Sequence, residues 1–370
     1  MKILFAGDFS VQDRSKKIFK SIDSGVNALS AINPICSQHD LSIVNFESPV
    51  TNCMNPIVKD GPNLKNPLLS INVLKEIGFG LFTLANNHLN DYGEQGVLDT
   101  IGQCKATGVM TVGASKNLED SRHPFIYTKD NIKLAIINVC ENEFSIAKKD
   151  SAGAAPLDLV DLYYTINRVR TEVNYVIVII HGGREHYPLP TPRMKKQYRY
   201  LADLGADFIV NHHQHCYSGY EVYNGVPIFY GLGNFYFDNP KKRNCIWNKG
   251  LLLSVEFGKD VKWELIPFEQ CNENPDIRLL PIETEKKNID KLNGIISNDN
   301  LLEASFEELV NKILPLSAMQ PYTNHYVRAL YHRHLLPNLI SKKKLFEILN
   351  SIRCQTHREV VIEYLENKLS

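Results

Sequence analysis

The chain alternates short apolar runs with segments of helical periodicity, and five of the apolar runs lead directly into a residue that can bind a metal ion or move a proton. The runs are rich in Val, Ile and Phe. Several are apolar at consecutive positions, as is typical of strands that are covered on both faces. This alternation of strands and helices predicts an α/β domain with substantial sheet.

The predicted elements extend over most of the chain. The predicted strands are Lys2–Ala6, Leu41–Phe46, Leu81–Ala85, Val109–Val112, Lys133–Val139, Tyr175–Ile180, Phe208–Asn211, Pro227–Tyr230 and Leu251–Phe257. The predicted helices between them are Leu68–Ile77, Gly93–Ala106, Leu159–Val173 and Arg193–Leu204.

The last part of the chain has a different pattern. Strand signals end near Pro275, and residues 281–300 are polar with few aromatic residues. We therefore predict one domain at residues 1–275, and a polar linker with a helical C-terminal region at residues 276–370. The helices predicted there are Leu301–Leu314, Tyr322–Leu335, Lys342–Arg353 and His357–Leu369.

Composition limits the classes of partner. Lys and Arg together number 41, and Asp and Glu also number 41, so no global basic field is present and no nucleic-acid partner is predicted. No apolar run is long enough for a transmembrane segment. The eight cysteines are scattered without a C-x-x-C pair, which favours reduced thiols. We predict a cytoplasmic protein, and a peripheral position at the membrane stays open.

Metal-binding residue types follow five of the predicted strands. In open α/β sheets ligands bind at the carboxyl ends of strands, so these side chains are expected to converge on one crevice. The cluster His212-His213-Gln214-His215 is the most informative, because imidazole is a common ligand for divalent metals. In an extended segment His213 and His215 would face one side and His212 the other. The predicted metal site consists of Asp8, Glu47, Asn87, His181, His213 and His215.

Each of these residues also has an ordinary explanation when it is taken alone. Asp8 follows a glycine and would suit a turn or a helix cap, and Glu47 precedes Ser-Pro in what could be a simple loop. His181 before Gly-Gly could be a buried, hydrogen-bonded histidine. The convergence of five strand ends favours the metal site over these separate explanations.

Six segments between residue 1 and about residue 260 carry a family resemblance. They are Phe5-Ala-Gly-Asp8, Val44-Asn-Phe-Glu-Ser-Pro-Val-Thr51, Leu84-Ala-Asn-Asn-His-Leu-Asn-Asp-Tyr-Gly93, His181-Gly-Gly-Arg-Glu185, Gly205-Ala-Asp-Phe-Ile-Val-Asn-His-His-Gln-His215 and Pro227-Ile-Phe-Tyr-Gly-Leu-Gly-Asn-Phe235. In this order they resemble the CapA branch of the calcineurin-like metallophosphoesterase superfamily. The branch is named for poly-γ-glutamate capsule biosynthesis.

The resemblance implies a fold and a set of roles. The implied fold is a sandwich of two mixed sheets flanked by helices. Two divalent metal ions are implied, with Glu47 bridging them and with His88, oriented by Asp91, as general acid or as donor to the substrate oxyanion. The first metal would be bound by Asp8 and His215, and the second by Asn87, His181 and His213. Ser10 stands where many superfamily members have a histidine, so the first metal position has fewer ligands.

Candidate substrate-binding residues are Arg184, Glu185 and Asn234. Arg184 and Glu185 closely follow His181, and Arg184 could hold a carboxylate or phosphate by a bidentate contact. A solvated surface pair is an equal alternative. Asn234 follows another strand and would either serve the site or cap a turn.

These residues together predict a dinuclear metal-dependent hydrolase of the CapA type, acting in capsule, poly-γ-glutamate or surface polysaccharide biosynthesis. The mixed oxygen and nitrogen ligands suit Mn, Fe, Zn or Co. The expected substrate is a polymer, a glycan precursor or a phosphoester, and the capsule-synthesis machinery is a candidate partner. Two alternatives stay open: a general metallophosphoesterase that cleaves phosphomonoesters or phosphodiesters, and a non-catalytic accessory subunit of a capsule-synthesis complex.

Overall fold

A computed structural model describes residues 1–59 and 61–317, together with the single residues 326, 329, 330, 333, 335, 349, 352 and 365. The chain divides into two compact units, Met1–Ala304 and Ser305–Ser370. The helices predicted beyond Leu314 lie outside the continuously described residues. None of the described helices is long and apolar enough to cross a membrane. The described cysteines are all free, as predicted.

The strands and helices follow the predicted alternation. The strands are β1 (Lys2–Ser10), β2 (Leu41–Phe46), β3 (Phe79–Thr83), β4 (Met110–Val112), β5 (Ala114–Ser115), β6 (Phe125–Lys129), β7 (Ile132–Cys140), β8 (Gly153–Ala154), β9 (Tyr175–His181), β10 (Phe208–His212), β11 (Tyr220–Tyr223), β12 (Val226–Phe229), β13 (Asn234–Phe237), β14 (Lys249–Glu256), β15 (Lys262–Gln270) and β16 (Ile277–Leu279). The helices are α1 (Ser15–Ile18), α2 (Ile22–Ala28), α3 (Asn33–Cys36), α4 (Ser70–Ile77), α5 (Gly93–Thr107), α6 (Leu118–Ser121), α7 (Leu159–Arg170), α8 (Pro192–Asp203), α9 (Ile282–Ile296) and α10 (Asp299–Ser317).

Two large mixed sheets form the first unit. One has the strand order β16-β15-β14-β1-β2-β3-β4, with β13 also paired to β1. In this sheet β1, β2, β3 and β4 are parallel, whereas β14 runs antiparallel to β1. The other sheet has the order β11-β12-β10-β9-β7-β6, with a parallel centre and antiparallel edges.

The two sheets pack against each other through a shared apolar layer. Phe5 and Ile43 of the first sheet and Ile177 and Phe208 of the second belong to one buried cluster. The rings of Phe5 and Phe208 stack at 5.9 Å between centroids. A second cluster joins the other face of the first sheet to helices α4 and α5. The predicted sandwich of two mixed sheets flanked by helices is therefore confirmed.

The segment after residue 275 corrects the sequence prediction. Strand β16 lies beyond this boundary, and the predicted polar linker contains helix α9, which packs on the first unit. Ile289 and Ile296 are buried, and Glu285 accepts hydrogen bonds from Tyr217 Oη and Lys249 Nζ. The average composition of α9 is polar because only one side of it is covered, so composition alone concealed an amphipathic helix.

The docking of α9 can be tested by truncating one buried side chain. We expect Ile296→Ala to lower the free energy of unfolding by about 2–5 kcal/mol, because Ile296 is fully buried. Lys287→Ala, on the exposed side of the same helix, should change it by less than about 0.5 kcal/mol. Urea denaturation of the full chain measures both. Equal, small effects would mean that α9 does not contribute to the stability of the unit.

Candidate metal centre

Asp8 enters the site where strand β1 is irregular. The pairing register of β1 shifts next to Asp8 on both sides, toward β2 and toward β13. The backbone N–H of Asp8 donates to Gly233 O at 3.2 Å. Only a glycine fits at position 7, since a Cβ there would lie 1.8 Å from Gly233 O. The irregular pairing of β1 and its close approach to Gly233 bring the Asp8 carboxylate into the interior at the carboxyl end of the sheet.

One group of candidate ligands consists of Asp8, Glu47 and His215. These buried residues each offer a ligand atom, and the three atoms lie within 4.8 Å of one another. His215 Nδ1–H donates to Asn234 Oδ1 at 2.9 Å, which leaves Nε2 facing Glu47 Oε1 at 3.8 Å. Both carboxylate oxygens of Glu47 are buried and have no hydrogen-bond partner among the described residues. A buried carboxylate of this kind is costly unless a cation binds it, so the group fits a metal ion.

The charges of this group point to the same conclusion. Burial, reinforced by Asp8 and Glu185, raises the pKa of Glu47 well above its ordinary value despite the opposing effect of His215. Burial would lower the pKa of His215, but Glu47 and Asp8 outweigh it and raise this pKa to about 9. Burial would raise the pKa of Asp8, yet its contact with His215 lowers this pKa overall. Glu47 and His215 thus bind protons more tightly than usual, as expected of ligand residues from which a metal ion displaces protons.

A second group consists of Asn87, His181 and His213. His181 Nε2 lies 3.0 Å from Asn87 Oδ1 and 3.0 Å from His213 Nδ1, so three potential ligand atoms meet at one point. Burial and the neighbouring His213 lower the pKa of His181 well below its ordinary value. The ring is therefore neutral, which is the form that binds a metal ion. This second group also fits a divalent cation.

The backbone that carries His213 and His215 is not extended, in contrast to the prediction. Strand β10 ends at His212, so alternation along an extended strand does not orient the next residues. His213 and His215 instead adopt positive φ angles of 95° and 54°. Such left-handed conformations cost about 1–3 kcal/mol each in residues other than glycine, and they are concentrated at functional sites.

His88 and Asp91 are in direct contact. His88 Nδ1–H donates to Asp91 Oδ2 at 2.7 Å, and His88 Nε2 lies 4.0 Å from Glu47 Oε1. Asp91 also accepts a hydrogen bond from the backbone N–H of Leu64 at 2.6 Å. The ammonium group of Lys59 forms an ion pair with Asp91 and lies 3.1 Å from His88 Nδ1. Asp91 can therefore hold the His88 ring with its Nε2 toward the candidate metal ligands.

The three candidate substrate-binding residues have different surroundings. Arg184 and Glu185 are exposed in the segment that follows β9. Burial raises the pKa of Glu185, but His215 and His213 hold it below its ordinary value, which places this carboxylate near the histidines. Asn234 is fully buried, and its amide is engaged with His215 and with Trp247 O. Its contacts correspond to a residue that positions His215 rather than to one that meets a substrate.

The sequence prediction missed polar residues that support the ligands. Asn45 Nδ2 donates to Asp8 Oδ1 at 2.7 Å and lies 3.1 Å from His181 Nδ1. Its position inside the buried strand β2, between Val44 and Phe46, is a signal that could have identified it. Lys59 lies in an irregular segment, where no sequence pattern singles it out.

Sequence comparison identifies the family. The model of the bacterial capsule synthesis protein PGA_cap family matches residues 2–239. The chain belongs to this family. It is 35% identical over 240 residues to the PGA biosynthesis protein CapA of Bacillus subtilis (strain 168), a match that covers 63% of the chain and 62% of the relative. It is 32% identical over 222 residues to the capsule biosynthesis protein CapA of Bacillus anthracis, covering 56% of the chain and 53% of the relative.

Two further similarities are more distant. A match to the probable polyglutamine synthesis accessory protein Rv0574c of Mycobacterium tuberculosis (strain ATCC 25618 / H37Rv) has 28% identity over 164 residues, covering 41% of the chain and 43% of the relative. The chain thus matches less than two thirds of the length of each of these relatives. Among solved structures, a novel phosphatase from Mycoplasma pneumoniae has a TM-score of 0.47 and 18% identity, covering 74% of the chain and 95% of the phosphatase.

The buried carboxylate of Glu47 leads to a testable prediction. Divalent metal should stabilise the metal-stripped wild type, by about 2.7 kcal/mol at a concentration one hundred times the dissociation constant. Glu47→Gln removes the buried charge, so the metal-free variant should be at least as stable as the metal-free wild type, and it should gain little from metal. Thermal unfolding with and without Mn²⁺ measures both effects. Equal stabilisation of the two proteins would rule out Glu47 as a ligand.

Proposed function

We propose that this chain is a dinuclear metal-dependent hydrolase of the CapA type, acting on a polymer or glycan precursor in capsule, poly-γ-glutamate or surface polysaccharide biosynthesis. The observation that carries the proposal is the buried carboxylate of Glu47, which has no hydrogen-bond partner among the described residues and forms a group of potential metal ligands with Asp8 and His215. The printed names of the Bacillus relatives, which refer to PGA and capsule biosynthesis, support the biological setting. A cytoplasmic position, free or at the membrane surface, and contact with capsule-synthesis proteins are part of the same proposal.

Each side chain has a role in this proposal. Asp8 and His215 would hold the first metal ion, Asn87, His181 and His213 would hold the second, and Glu47 would be shared between them. When bound, two divalent cations of Mn, Fe, Zn or Co would polarise the group under attack and lower the pKa of a bound water.

The groups around the metal ligands complete the proposed mechanism. His88 donates a proton from Nε2 to the leaving group or the substrate oxyanion, and Asp91 keeps the imidazole in the required orientation. Arg184 is available to hold a carboxylate or phosphate of the substrate, with Glu185 beside it. Asn234 acts through His215 and does not touch the substrate in this mechanism.

A non-catalytic accessory role is the second candidate. Ser10, where a histidine would add a ligand to the first position, is fully buried and is hydrogen-bonded to Ser48 and Gln12. With fewer ligands the first position would bind metal more weakly, and a protein holding a single metal ion could serve as a scaffold. The mycobacterial relative carries the words "accessory protein" in its name.

A hydrolysis panel on metal-loaded full-length protein separates these functions. The panel contains phosphomonoesters, phosphodiesters, γ-glutamyl peptides and capsule-type oligosaccharides. Turnover confined to γ-glutamyl or glycan substrates supports the CapA-type hydrolase. Phosphoester turnover supports a general metallophosphoesterase, and metal binding without turnover supports the accessory role.

Substitutions then test the residues. Asp8→Ala and His213→Ala should reduce hydrolysis to the level of metal-stripped protein, because each removes a ligand. His88→Asn should retain the metal content and lower kcat by about 10²- to 10⁴-fold, since it removes a general acid. His123→Ala is the control, because this side chain is 60% exposed and its Nδ1 lies 4.0 Å from Asp120 Oδ1. Unchanged turnover by His88→Asn would contradict its assigned role.

A further inference from the structure

Glu143 lies in a segment that is fixed against the metal-ligand residues. The segment follows strand β7 and contacts the segment that carries Asn87 and His88. The backbone N–H of Asn90 donates to Ser145 Oγ at 3.1 Å, and Asn90 Nδ2 donates to Phe144 O at 3.2 Å. Ser145 is buried, so its position does not depend on solvent. These contacts hold the backbone on the C-terminal side of Glu143, and on the other side the backbone N–H of Glu141 donates to His181 O at 3.0 Å.

The carboxylate of Glu143 faces two candidate metal ligands at once. Asn87 Nδ2 donates to Glu143 Oε2 at 3.4 Å. His213 Nε2 lies 3.9 Å from Glu143 Oε1. Each of these two side chains has one polar atom near Glu143 and its other polar atom near His181. The atoms near His181 Nε2 are Asn87 Oδ1 and His213 Nδ1, each at 3.0 Å.

This placement has a chemical consequence for each ligand. The carboxamide of an asparagine can be turned so that either its oxygen or its nitrogen faces a site, and only the oxygen can bind a metal ion. A carboxylate beside Nδ2 selects the orientation in which Oδ1 faces inward. In the same way, a carboxylate near Nε2 of a neutral imidazole favours the tautomer with its proton on Nε2, and this leaves the Nδ1 lone pair for a metal ion.

We propose that Glu143 is a positioning residue for the second metal position, setting the amide orientation of Asn87 and the tautomer of His213. The inference rests on the proposed function, because it presupposes a metal at this position. Glu143 is not itself a ligand in this proposal, since it approaches His213 on the side of the ring away from His181. The Glu143 side chain is 39% exposed, so its carboxylate has room to move closer to His213 Nε2.

The test compares metal binding by full-length variants. Metal-stripped wild type, Glu143→Ala, Glu143→Gln and the control Glu172→Ala are titrated with Co²⁺ by calorimetry, and the visible spectrum of bound Co²⁺ is recorded. Glu172 is exposed in the turn after helix α7. We expect Glu143→Ala to weaken one of two binding events by about 10- to 100-fold and to change the spectrum of that site. Glu143→Gln keeps one acceptor oxygen and should fall between Glu143→Ala and the wild type.

Three results would count against the inference, and they can be told apart. If wild type binds no Co²⁺, the proposed function fails and this inference fails with it. If wild type binds Co²⁺ and Glu143→Ala binds it with the same affinity and spectrum, the inference alone is overturned. If Glu143→Ala and Glu172→Ala weaken binding equally, the effect is not specific to Glu143 and the inference is again overturned. Thermal unfolding of the metal-stripped proteins should give the same Tm for all four, which excludes a general loss of folding.

Discussion

The arrangement of the site depends on one buried carboxylate. Both oxygens of Glu47 are removed from water without a hydrogen-bond partner among the described residues, at the end of a strand that is buried along its whole length. A side chain of this kind is expensive to retain, because desolvation of a carboxylate costs several kcal/mol unless a cation or a hydrogen-bond donor compensates it. Among its neighbours, His215 favours the ionised form of Glu47, whereas burial and the second carboxylate of Asp8 disfavour it. The site is therefore complementary to a cation.

The surrounding fold brings these ionisable side chains together. Parallel strands at the centre of each sheet direct their carboxyl ends toward the same region, and the apolar layer between the sheets fixes the strands. The backbone near the candidate ligands adopts conformations that cost free energy. Ser48, His213 and His215 have positive φ angles, although none of them is a glycine. Conformations of this kind persist only where the surrounding structure holds them, so the rigid sandwich offsets the local strain at the site.

The sequence predicted the parts of the site that depend on local pattern. An apolar run that leads into a polar residue is visible without any structure, although Asp8 and His181 lie inside their strands and Asn87 lies four residues beyond β3. Contacts between distant positions were not predictable. Asn45 meets His181 across 136 positions of the chain, and Glu143 meets Asn87 across 56. Helix α9 was mistaken for a linker because its buried side chains are few, and composition does not reveal which side of a helix is covered.

The two groups of candidate ligands differ in the number of ligands and in the residues that orient them. In the second group, Glu143 faces Asn87 and His213 beside the atoms that point away from the meeting point. In the first group, Asn45 and Asn234 hold Asp8 and His215, but Ser10 is bonded to Ser48 and Gln12 and adds no imidazole. Metal affinity depends on the number of ligands and on how firmly their orientation is set. By the number of candidate ligands the second group is the better prepared of the two, since Asn87, His181 and His213 stand against Asp8 and His215.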